Sequence, residues 1–94
     1  MIRREGARIV VSGAVTLGNA AALLEEGRRH IAEGVQTVDL AEVNEMDSAL
    51  LAVLLAWLRD ARSRDKKLSF VNLPESLRTI AQLYGVDRLL PTTT

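Results

Sequence analysis

Short apolar runs alternate with polar punctuation along the chain, and the longest of them, Ala49 to Leu58, comes directly after the polar pair Asp47-Ser48. Asp and Ser are favoured where a helix begins, because their side-chain oxygens accept hydrogen bonds from N–H groups left unpaired in the first turn. The spacing predicts a helix from Ser48 to about Arg64, with Leu50, Leu51, Leu54, Trp57, Leu58 and Ala61 on one core-facing stripe. The opposite face carries Ser48, Ala49, Ala52, Ala56 and Arg59, with Val53 and Leu55 at its margins. A solvated face would carry Lys, Glu or Gln there. The run is too short to span a bilayer, which takes roughly 17–25 residues. A flat, small-residue face of this kind predicts contact with a partner.

The other elements emerge from the same alternation. Met1 to Arg4 reads as a short edge strand, turned by Glu5-Gly6 into a strand Ala7–Ser12 that Gly13 ends. Thr16 to Glu33 reads as a helix with Leu17, Ala20, Ala21, Leu24 and Ile31 on one stripe, Thr16 as its cap and Gly34 at its C-cap. Gly18 and Gly27 inside it each cost about 1 kcal/mol relative to Ala, which implies a late start or close packing. Val35 to Leu40 is the next strand, succeeded by an acidic-polar loop, Glu42 to Met46. Leu68 to Val71 is another strand, and Pro74 suits the first turn of a last helix with Leu77, Ile80, Ala81 and Tyr84 buried. Val86 to Leu90 would add a final short strand, and residues 91–94 a frayed tail.

The order β(β)αβαβα(β) predicts an α/β fold: one domain over residues 1–94, with a mostly parallel or mixed sheet of four or five strands and about three helices. Ninety-four residues leave no room for a second domain.

Composition narrows the function. Twelve Lys and Arg balance 12 Asp and Glu, so nothing points to a nucleic-acid backbone or an anionic membrane. Trp57, Phe70 and Tyr84 are the only aromatics, too few for a base-stacking surface. Without cysteine there is no disulfide or thiolate chemistry. The N-terminal stretch lacks the long apolar run and cleavage site of a signal peptide, so a soluble cytoplasmic protein is expected.

The catalytic inventory is thin. There is no P-loop, no G-x-G-x-x-G and no G-x-S-x-G. His30 stands alone in an Arg-rich helical segment and reads as a surface residue; a Ser-His-Asp arrangement would require it to meet Ser48. The carboxylates are too scattered for a metal site. The expectation is a protein that is not an enzyme and carries no cofactor.

Asp47-Ser48 admits two compatible accounts. One is a plain N-cap. The other is a hydroxyl displayed at a helix N-terminus, where an added phosphate is electrostatically favoured and would obstruct a docking face. Glu42, Asn44 and Glu45 likewise form either an ordinary solvated loop or, beyond the carboxyl ends of parallel strands, part of a binding surface. Arg59, Arg62 and Arg64 form a solvated face or a rim for an acidic partner. The partner surface expected is Glu42, Asn44, Glu45, Met46, Asp47, Ser48, Ala49, Ala52, Leu55, Ala56 and Arg59, with Ser48 as the regulatory hydroxyl.

The run V-D-L-A-x-V-x-x-M-D-S-A-L-L-A-V-L-L, residues Val38 to Leu55, resembles the signature of STAS domains, the fold of anti-sigma factor antagonists. In that family a strand ends in D-L, and a D-S/T-x-G-L motif opens a long apolar helix. Within it, the segment Arg78 to Val86 and the chain length are most similar to the small STAS subunits of Mla phospholipid ABC transporters. The resemblance implies a non-catalytic cytoplasmic subunit, peripheral to the inner membrane through its complex. Its partner would be the transporter's ATPase, alongside a permease and a lipid-binding MCE protein, in a system that maintains outer-membrane lipid asymmetry. Two positions depart from the family pattern. The residue phosphorylated in sporulation-type antagonists falls at Ala49, which has no hydroxyl, and the family's Gly is replaced by Leu50. The alternative is an anti-sigma factor antagonist that binds an anti-sigma kinase through the same face. A lipid-binding or catalytic protein would need a deep apolar pocket.

Overall fold

A computed structural model describes residues 1–92. Four strands form one sheet in the order β1-β2-β3-β4: β1 (Ile2–Glu5), β2 (Arg8–Val15), β3 (Thr37–Met46) and β4 (Ser69–Val71). β1 pairs antiparallel with β2, and the other neighbours are parallel, so the sheet is mixed. Helices α1 (Ala20–Ala32), α2 (Ala49–Ser63) and α3 (Glu75–Leu83) come after β2, β3 and β4 in turn. Both crossovers step the same way across the sheet, and right-handedness then puts α1 and α2 on one face.

Alternation along the strands divides core from surface. Ile9, Val11, Val38, Leu40 and Phe70 turn to the helices and pack with Leu23, Ile31, Leu50, Leu54, Trp57 and Leu77. The intervening row, Arg3–Val10–Asp39–Val71, pairs straight across the sheet and lies outside that cluster. Full burial of a single Leu or Phe side chain is worth about 1.5–3 kcal/mol, so this one-sided core supplies the main driving force. Trp57, fully buried, lies against Gly27, where an added Cβ would strike its ring. Its Nε1 donates to the Leu24 carbonyl at 3.0 Å. Close packing, one of the two explanations the glycines in α1 invited, holds at Gly27.

Several boundaries differ from the sequence expectation. β2 does not end at Gly13 but continues to Val15: Gly13 takes φ +84 and stays paired, beside one of two register shifts at which β3 carries an extra residue. The stretch Glu42 to Met46 is not a loop: it is the end of β3, paired with Ser12–Val15, and its Val43 and Met46 turn to the core. Two register shifts break strict alternation here and leave Glu42, Asn44 and Glu45 out of the core. α1 starts at Ala20 rather than Thr16, since the backbone N–H of Thr16 donates to Asn19 Oδ1 and Asn19 Nδ2 to the Ala14 carbonyl, which hold a turn there. Tyr84 is 65% exposed rather than buried: the chain turns at Gly85, φ +69, and half-buried Val86 packs against the core instead. Val86 to Leu90 is no strand but contains a 3-10 turn, Asp87–Leu89. Strand-like pairing comes later, where the Phe70 N–H donates to the Pro91 carbonyl and Thr92 bridges to Phe70. Residues 93 and 94 of the expected tail lie outside the described residues.

Candidate functional site

α2 begins where β3 ends, at the carboxyl pole of the parallel strands. Asp47 organises this junction. Its Oδ1 accepts from the Ala49 N–H at 2.8 Å and caps the helix, while Oδ2 accepts from the Leu17 N–H at 3.0 Å. One carboxylate thus ties the turn after β2 to the start of α2. Ser48 is left exposed with helical backbone angles and no capping hydrogen bond from its side chain. Neither α1 nor α2 carries an acidic side chain in its first turn.

The small-residue face of α2 is real but narrower than its sequence pattern. Ser48, Ala52 and Arg59 are exposed, and Ala49, Leu55 and Ala56 are half-buried. Val53, at the margin of the pattern, is buried in the core cluster. Ser48, Ala49 and Ala52 border an open groove of about 470 Å³ whose far wall is Leu17, Ala21 and Leu24. Leu17, expected on the buried stripe of α1, is 83% exposed at the lip of this groove. Ala56 and Arg59 continue the seam beside Arg28, and Leu55 and Arg59 face Leu89 on the other flank of α2.

The remaining predicted residues divide. Asn44 and Glu45 are exposed at the end of β3, and Met46 is half-buried against the core. Glu42 belongs elsewhere: its carboxylate binds Arg3 Nη2 at 3.0 Å, and Arg3 lies in the row on the face away from the helices. The hydrogen bond and charge of Arg3 hold the Glu42 carboxyl below its ordinary range. His30, expected at the surface, is half-buried and its Nδ1 is enclosed without a partner among the described residues. It sits in the last turn of α1, whereas Ser48 opens α2. The two helices run in the same direction, so these residues lie at opposite poles and form no triad. Among the described residues no group of three or more His, Asp or Glu could hold a metal ion, and no helix is long and apolar enough to cross a membrane.

Sequence reasoning missed one polar cluster. Asp39 accepts from Arg8 Nη1 at 3.0 Å, from Asn72 Nδ2 at 3.0 Å and from the Ala41 N–H at 2.9 Å. Burial alone would raise its pKa. The hydrogen bonds from Asn72 and Ala41, with the Arg8 charge, outweigh burial and hold the carboxyl below its usual range. An Asp inside an apolar strand was the only signal available, and its partners are distant in sequence.

A mixed sheet covered on one face by three helices, with an apolar helix start displayed at its carboxyl pole, defines a small α/β domain. The chain belongs to the STAS domain family of the Mlab type: the family model described as Mlab, STAS domain, matches residues 1–91. Among solved structures it is similar to a chain of the Acinetobacter MlaFEDB complex in its ATP-bound Vtrans2 conformation. The two are 27% identical with TM-score 0.85, over 99% of this chain and 99% of that one. It also resembles the phosphorylated form of the Bacillus cell fate determinant SpoIIAA, at 15% identity and TM-score 0.70, over 100% of this chain and 90% of that one. An anti-sigma factor antagonist from Mycobacterium paratuberculosis matches at 22% identity and TM-score 0.75, over 98% and 81% of the two chains. At those lower identities the likeness is one of fold alone.

Proposed function

We propose that this chain is a non-catalytic cytoplasmic STAS subunit of an Mla-type phospholipid ABC transporter. It binds the transporter's ATPase, supports assembly or activity of the complex, and so maintains outer-membrane lipid asymmetry. The observation that carries this reading is the end-to-end likeness to a chain of the MlaFEDB complex, 99% of each chain at TM-score 0.85. The ATPase is received on the α2 face at the carboxyl pole: Asp47, Ser48, Ala49 and Ala52, continued along Ala56 and Arg59. Small side chains there let a partner element approach closely, and the exposed apolar groove beside them is the kind of patch that marks protein contact. Asn44 and Glu45 flank the patch. Glu42, engaged with Arg3 on the far face, is outside it.

Ser48 is the regulatory hydroxyl of this face. A phosphate on it would meet the positive end of α2, add charge and bulk where the ATPase docks, and weaken the complex. A subunit that binds one ATPase conformation better than another shifts its population toward that conformation. The anti-sigma antagonist alternative rests on likenesses of 15% and 22% identity, which speak to fold and not to partner. The test is affinity purification of the tagged chain from its native host, with the co-purifying proteins identified by mass spectrometry. An ABC ATPase with its permease supports the proposal; a histidine-kinase-like anti-sigma factor in their place overturns it.

A further inference from the structure

Leu17 stands on the turn between β2 and α1, 83% exposed, in the same groove as Ala49 and Ala52 of α2. A single exposed leucine is ordinary and calls for no explanation. The backbone under this one is held on both sides. The Thr16 N–H donates to Asn19 Oδ1 at 3.0 Å, and Asn19 Nδ2 donates to the Ala14 carbonyl at 2.8 Å. The Asn19 N–H closes the turn onto the Thr16 carbonyl at 3.1 Å, and the Leu17 N–H itself is taken by Asp47. A fixed turn thus carries an apolar side chain into water.

Asn19 occupies the N-cap of α1, where an Asn side chain ordinarily accepts from an N–H of the first helical turn. It makes no such bond. Its amide reaches backwards, to Thr16 and Ala14, so the side chain serves the turn that bears Leu17 and not the helix it precedes. Asp47 serves two masters, the turn and the start of α2, whereas the hydrogen bonds of the Asn19 side chain go to the turn alone.

We infer that Leu17 is an apolar anchor that enters a hollow on the ATPase, and that Asn19 is the positioning residue that presents it. The inference rests on the docking face proposed above, with which Leu17 is continuous through Ala49 and Ala52. The ATPase removes the exposed Leu17 surface from water, which favours the complex. A turn ordered beforehand spares the complex the cost of ordering a loop on binding. Asn19 therefore acts through Leu17 and touches no partner itself.

The test is a titration of the ATPase that co-purifies with the chain against wild type, L17A, N19A and N19A/L17A, with a ¹⁵N spectrum of each full chain. L17A and N19A should each bind about tenfold more weakly and keep folded spectra, as loss of an anchoring contact predicts. N19D keeps an acceptor for the Thr16 N–H and loses the donor to Ala14, and should fall between N19A and wild type. In the L17A background, N19A should cost nothing further, since there is no anchor left to present. L83A, which truncates a leucine 78% exposed on α3, should bind as wild type does. Undiminished binding by L17A, or by N19A and N19D, would overturn the inference. So would an equal loss from N19A with and without Leu17, which would mark Asn19 as merely structural. A wild-type chain that captures no ATPase would instead overturn the functional reading, and the anchor with it.

Discussion

Asp47 Oδ2 accepts a hydrogen bond from the Leu17 backbone N–H at 3.0 Å, which fastens the turn after β2 to the start of α2. The other oxygen of the same carboxylate caps α2 through the Ala49 N–H. The two walls of the groove at the carboxyl pole are therefore held by one side chain.

Asp47→Ala removes both contacts. Loss of a helix cap costs about 0.5–2 kcal/mol, and releasing the Leu17 N–H adds to it. Chemical denaturation should give a destabilisation of about 1–3 kcal/mol, with Asp47→Asn intermediate because its amide oxygen still accepts one bond.

Leu17 is 83% exposed, so Leu17→Asp should leave stability within about 0.5 kcal/mol. If this residue anchors the ATPase, the same change should weaken the complex about tenfold or more, since an acidic group would replace a buried apolar contact. Paired denaturation and binding measurements on this variant separate a docking role from a structural one.

Gly27→Ala decides between helix propensity and packing. Ala in a helix interior gains about 1 kcal/mol over Gly. Here the added methyl would strike the ring of Trp57, which is fully buried and pinned by its hydrogen bond to the Leu24 carbonyl. Overpacking of about 1–3 kcal/mol and strain on that bond outweigh the gain. A net loss of about 1–2 kcal/mol is expected, read as a lower Tm.

Asp39 makes stability depend on acid. Its pKa is lowered in the folded state, so it contributes stability above the unfolded value of about 3.9, and that contribution is lost as pH falls through the folded value. Asn72→Ala removes one of the hydrogen bonds that lower it and should move the acid transition upward. Asp39→Asn should flatten the pH profile of denaturation between about pH 5 and pH 2.

The apolar run of α2 and the Asp47 cap were legible in the sequence because both signals are local. So was the strand–helix alternation, which fixes the mixed sheet once right-handed crossovers are assumed. The extension of β3 was not. Glu42 to Glu45 has the composition of a loop, and only continued pairing with Ser12–Val15 makes it a strand. Gly13 looked like a stop because its continued pairing depends on β3, which is distant in sequence and carries the extra residue of the register shift. The same limit split the candidate site. Glu42 and Ser48 are close in sequence, yet the register shift between Val10 and Ser12 leaves Glu42 on the face of Arg3. Asp39 needs Arg8 and Asn72, 31 and 33 residues away, and no periodicity encodes that meeting.

Ser48→Glu introduces an acidic side chain at the positive end of α2, which the helix tolerates, so the fold should be retained. The same charge on the docking face should lower affinity for the ATPase. Circular dichroism with co-purification yield checks both halves of that expectation.

Ala52 is exposed in the groove at the carboxyl pole, at the centre of the proposed docking face. The most direct measurement is side-by-side affinity purification of wild type and Ala52→Arg from the native host, with the bound ATPase quantified by mass spectrometry. Burying an unpaired guanidinium costs about 3–5 kcal/mol, so recovery of the ATPase should fall about a hundredfold or more while the variant stays folded. Undiminished recovery by Ala52→Arg, or an anti-sigma kinase in place of the ATPase on the wild type, would contradict the account.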